Sequence, residues 1–156
     1  MRLKGLRAVS CMVRGDKALA EELARDATRV AAVVGCVRPP SPVRVQVKAA
    51  HLLRHLVQSS SQVCSLALND EGLLSALSIA LQGSEDAQLW EHGLHLLVSL
   101  GRRRNSLVAD LQRESPALME RMADRRTVLH ALPQEDKDAH REEIEYMTTL
   151  LGAMQA

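Results

Sequence analysis

"VKAAHLLRHLV", residues 47–57, puts Val47, Ala50, Leu53 and Val57 on one side of a helix, and Leu52 and Leu56 widen that apolar seam. Forty-four residues further on the pattern recurs within "WEHGLHLLVSL" at 90–100, and forty-four back it is prefigured within "LRAVSCMVR" at 6–14. Lys4, Lys48 and His92 are equivalent positions, as are Ala8, Leu52 and Leu96, then Val9, Leu53 and Leu97, then Met12, Leu56 and Leu100. A fixed period of this kind describes stacked helical units that bury their apolar faces against their neighbours, with no single enclosed core.

Two shorter helices precede each long one. Segments 17–25 and 27–37 stop at Arg38-Pro39-Pro40-Ser41-Pro42, where consecutive prolines cannot continue a helix, and a long helix follows over 43–58. Ser60-Ser61-Gln62 then opens a short helix, Asn69-Asp70 caps a second through Leu81, Gly83-Ser84 breaks the chain, and the next long helix covers 87–100. A last unit starts near Ser106 and Leu107 and continues after Ser115-Pro116. It closes with one helix from Pro133 that carries Ile144, Met147, Leu151 and Met154 on one side. The other side of that helix holds Glu135, Asp136, Lys137, Asp138, Arg141 and Glu142, a polar face suited to sealing the end of a stack.

The short, medium, long order predicts an all-α fold: an armadillo-like right-handed superhelical solenoid of about three units plus a C-terminal capping helix. Two-helix HEAT units fit the triplets less well. The expected divisions within one domain are the last helix of a truncated unit at 1–15, a unit at 16–58, another at 60–101, and a terminal unit with its cap at 103–156. Met1 to Val13 lacks the two helices that precede each later long helix, so the chain reads as part of something longer.

At 156 residues, 46% hydrophobic and 25% charged, the sequence is long and apolar enough to fold without staples. Aromatic content is 1%, with no Phe, so the interior is built from Leu, Val, Ile, Ala and Met. A protein that stacks bases needs aromatic platforms, and a formal net charge of +1 supplies no general attraction to nucleic acid or anionic lipid. Neither is an expected partner. No apolar run approaches the length of about 20 residues that spans a bilayer, and a cytoplasmic location is expected.

Cys11, Cys36 and Cys64 are odd in number and lack metal-type spacing, so each is expected as a small, reduced core residue. His51 and His55 have the i, i+4 spacing of metal ligands, but Leu52 stands where a metalloprotease helix carries its catalytic Glu, and His92 and His95 have no clear third ligand. Arg102-Arg103-Arg104 reads as a solvated loop. No nucleophile motif, phosphate-binding glycine loop or paired carboxylate is present, so neither an enzyme nor a bound cofactor or metal is expected.

Taken together and in order, "LRAVSCMVR", "VKAAHLLRHLV", "WEHGLHLLVSL" and "REEIEYMTTLL" at 141–151 resemble the armadillo core of the nucleotide exchange factors that bind seventy-kilodalton heat-shock chaperones, the cytosolic branch most closely. The resemblance runs from about Leu6 to Leu151 and implies a co-chaperone that grips the ATPase domain of such a chaperone and releases its ADP. It implies contacts at Arg14, which ends "CMVR", and at Lys48 within "VKAA"; His51 stands where the family usually has an aromatic residue. The repeat register itself aligns Lys4 and Arg7, Lys48 and His51, and His92 and His95 along one face as a basic ladder suited to an acidic protein surface. With Arg14 and His55 these are the candidate partner-binding residues. The alternative is a general armadillo scaffold for an acidic partner, without exchange activity.

Overall fold

Asp16, Asp26 and Asp86 set the starts of three helices by the same device: each carboxylate accepts a hydrogen bond from the backbone N–H three residues on, at Leu19, Arg29 and Leu89, over 3.0, 3.1 and 3.0 Å. The structure, a computed structural model, describes residues 4, 5, 7–9, 11, 16–69 and 71–153. Among them all regular structure is helical, with no strand. Residues 4, 5, 7–9 and 11 are helical, and ten further helices follow. They are α1 (Lys17–Arg25), α2 (Ala27–Val37), α3 (Val43–Ser59), α4 (Ser61–Asn69), α5 (Glu71–Gln82), α6 (Ala87–Gly101), α7 (Leu107–Glu114), α8 (Pro116–His130), α9 (Gln134–Ala139) and α10 (Arg141–Gly152).

The packing follows the triplets. Helix α3 lies on α6 and α6 on α10; α2 lies on α5 and α5 on α8; α1 contacts α4. The second helices of successive triplets are therefore neighbours, as are the long helices and the first helices α1 and α4. Leu52, Leu53 and Leu56 of α3 and Leu94, Leu96, Leu97 and Leu100 of α6 are fully buried, and each such side chain contributes about 1.5–3 kcal/mol relative to exposure. Trp90, the one tryptophan, is also fully buried. Its indole N–H donates to the Ser84 carbonyl at 2.8 Å, which ties the start of α6 to the loop before it. Gly93 lets α5 and α6 close up, because a Cβ there would sit 3.0 Å from Leu81 Cδ2.

Three expectations need correction or completion. The closing helix from Pro133 is two helices, α9 and α10, hinged at His140, whose backbone N–H reaches back only three residues to the Lys137 carbonyl at 3.0 Å. At the break His140 Nδ1 lies 3.0 Å from Glu143 Oε2, and Glu143 also meets the Arg125 guanidinium of α8. Cys36 and Cys64 are buried, but Cys11 is exposed. Arg104 of the arginine run is not merely solvated: its Nη2 meets the buried Asp110 at 2.6 Å and its Nε donates to Ser106 Oγ, which holds the turn into α7. Met12, Val13, Asp70 and Met154 lie outside the described residues.

Candidate functional site

The polar flanks of α3, α6 and α10 form one continuous face, because these three helices are packed side by side in that order. On α3 the helical spacing turns Lys48, His51, Arg54, His55 and Gln58 away from the apolar seam. On α6 it does the same for Gln88, Glu91, His92 and His95. Helix α10 adds Glu142 and Tyr146.

At the centre is a histidine cluster. The His51 and His55 rings meet edge to face at 4.6 Å, with Nε2 atoms 3.3 Å apart, so one nitrogen carries the proton and the other accepts it. His51 also lies 4.7 Å from the His92 ring across the α3–α6 boundary. Arg54 Nη1 reaches Glu91 Oε1 at 3.2 Å and His92 Nδ1 at 3.4 Å. A guanidinium only donates, so His92 Nδ1 accepts, and its proton sits on Nε2. The 3.4 Å approach of His92 Nδ1 to Glu91 is therefore not an ion pair.

Burial first, then the neighbouring His51, Arg54 and Lys48, hold the His92 imidazole down from its ordinary value of 6.5 to about 3. Burial and Arg54 likewise lower His95 to about 4, against a small opposing pull from Glu142. Both rings are neutral at neutral pH. His95 packs on Tyr146 at 4.9 Å and lies 3.3 Å from Gln58 Nε2, while the Tyr146 hydroxyl donates to Glu142 at 3.4 Å. Burial and Glu142 raise the Tyr146 phenol, which keeps that donor protonated.

Two hollows open beside this cluster. The first, about 330 Å³, is lined by Arg7, Arg44, Val47, Lys48, Asp86 and Gln88. The second, about 380 Å³, lies between α6 and the α9–α10 hinge, where Glu91, Asp138, Glu142 and Glu143 meet Arg141 and His140. Gln88 borders both.

Of the eight residues expected from sequence, His51, His55 and His92 come together, His95 stands beside Tyr146, and Lys48 and Arg7 share the first hollow. Lys4 is exposed on the N-terminal helical stretch, and Arg14 lies outside the described residues. The ladder is corrected at its far end: burial leaves His92 and His95 uncharged, so they are polar rungs and not cations. Sequence reading missed Arg44, Arg54, Glu91 and Glu142. Arg54 was within reach, three residues after His51 and therefore on the same side of the helix.

Among the described residues no group of three or more His, Cys, Asp or Glu side chains is arranged to hold a metal ion. No single helix among them is long and apolar enough to cross a membrane. No protein-family model matches the chain, and neither a curated protein nor a solved structure matches it.

Proposed function

We propose that the chain is an armadillo-type solenoid acting as a cytoplasmic co-chaperone: it binds the ATPase domain of a seventy-kilodalton heat-shock chaperone through the α3–α6–α10 face and promotes ADP release, with no bond chemistry of its own. The observation that carries this reading is the first hollow. Lys48, the position that the family resemblance picks out for contact, opens there with Arg7 and Arg44 on the flank of the long helices. Three long cations around one hollow suit carboxylates on a protein surface, each pair adding about 0.2–1 kcal/mol and speeding encounter. The side-by-side order of equivalent helices supports the solenoid part of the reading.

Exchange by such a protein is binding that prefers one state of the partner. It opens a nucleotide cleft only by the difference between its affinities for the open and closed forms. The reading therefore predicts a complex with the isolated ATPase domain that forms more tightly without nucleotide than with ATP. Calorimetric titration in the two conditions tests it, and equal affinities or no complex would retire it.

A second reading, an armadillo scaffold for another acidic partner without exchange activity, is supported by the same cations of the first hollow, which suit acidic protein surfaces in general. Recovery of a non-chaperone partner with no chaperone enrichment would favour it.

A further inference from the structure

We propose that the α3–α6–α10 face is a dipolar dock. It takes a partner segment that sets carboxylates against Lys48, Arg44 and Arg7 and, directly beside them, cations against Asp138 and Glu142. The inference rests on reading this face as a docking surface and narrows its partner from an acidic one to one with blocks of both signs.

The two hollows differ in sign. In the first, three cations face a single carboxylate, Asp86, and that carboxylate is engaged in capping α6 through Leu89 N at 3.0 Å. Lys48 and Arg44 carry no ion pair among the described residues. In the second, four carboxylates face one arginine, Arg141. Glu143 is engaged by Arg125 and His140, and Glu91 by Arg54. Asp138 and Glu142 are exposed, and their partners are uncharged donors, the Gln134 amide at 3.1 Å and the Tyr146 hydroxyl.

Neutral Gln88 borders both hollows, so opposite potentials adjoin on one face of a chain whose formal net charge is only +1. A uniformly acidic partner gains at the first hollow and is repelled at the second, whereas a segment with separated blocks is matched at both. The neutral state of His92 and His95 sharpens the boundary, since charged rings there would carry the positive region across α6. The face selects by the arrangement of charge on its partner and not by the amount.

The test uses the full chain at low salt and fluorescence anisotropy with three labelled peptides of equal length: a Glu block joined by Gly to a Lys block, an alternating Glu-Lys sequence of the same composition, and a Glu-only sequence. The two-block peptide should bind about tenfold more tightly than the alternating one, as two or three aligned surface pairs allow, with the Glu-only peptide between them. Asp138→Lys with Glu142→Lys should reverse the preference toward the Glu-only peptide, and Lys48→Glu should weaken both. Circular dichroism of each variant checks that these surface changes leave the helices intact.

Tighter binding of the Glu-only peptide by the unaltered chain would overturn the proposal, as would equal affinities, including no measurable binding of any peptide. A salt-sensitive dimer in sedimentation that Glu142→Lys abolishes would also overturn it, by assigning the surface to a second copy. Exchange is measured separately: exchange absent with the two-block preference intact removes the chaperone reading alone, and exchange present with equal peptide affinities removes the dipolar dock alone.

Discussion

His51 of α3 and His92 of α6 stand with ring centroids 4.7 Å apart, and between the helices that carry them Arg54 bridges to Glu91. The pair joins the two most extensively packed helices across their polar edge, directly beside Lys48. Its electrostatics are set by burial: the His92 side chain is 13% exposed and its imidazole stays neutral down to about pH 3.

A depressed histidine makes stability depend on pH with a definite sign. Below about pH 6.5 the unfolded chain takes up protons at positions 92 and 95 that the folded chain refuses until about pH 3 and about pH 4. Stability therefore falls as pH drops from about 6.5 toward 4, by at most about 1.4 kcal/mol per pH unit for each ring and less for the more open His95. His92→Gln should flatten this part of the profile. Urea unfolding at several pH values measures it, and the difference between the two proteins cancels most of the carboxylate titration.

Core packing should separate sharply from surface contact. Leu56 is fully buried on α3, so Leu56→Ala should cost about 2–5 kcal/mol. Ile79 of α5 is 54% exposed, and Ile79→Ser should change stability by less than about 0.5 kcal/mol. Thermal unfolding of both variants beside the parent chain checks the contrast.

The link between α8 and α10 is a buried charge network. Glu143, 2% exposed, meets Arg125, 12% exposed, and His140; Arg125 also reaches Glu85 and lies 4.9 Å over the Trp90 ring. Glu143→Gln leaves the guanidinium without its buried counter-charge and should cost about 3–5 kcal/mol. Glu143→Leu combined with Arg125→Met should recover much of that loss, because the pair's desolvation is removed together with its attraction. A double-mutant cycle by urea unfolding reads the coupling.

The long helices were legible because their signals are local. An apolar seam bounded by prolines or by the Gly83-Ser84 break gives 43–58 and 87–100 from sequence, against Val43–Ser59 and Ala87–Gly101 in the fold. The hinge at His140 was not, since Asp138-Ala139-His140-Arg141 contains no Pro or Gly to mark a break, and the Glu143–Arg125 contact beside it joins two helices far apart in sequence. In the candidate site, the forty-four-residue register brought Lys48, His51 and His92 to one face but hid Arg54 and Glu91, whose equivalents are Val98 and Val47. Register finds residues that recur, and an ion pair between non-equivalent positions does not recur. The neutrality of His92 was equally out of reach, because residue type carries no information about burial against a neighbouring helix.

Whether this face drives nucleotide exchange on a chaperone is decided by stopped-flow release of fluorescent ADP from a purified seventy-kilodalton heat-shock chaperone. Release should quicken with increasing chain concentration, and Lys48→Asp should lose that acceleration at unchanged helicity. Release rates that are the same with and without the folded chain, or acceleration that survives Lys48→Asp undiminished, would contradict it.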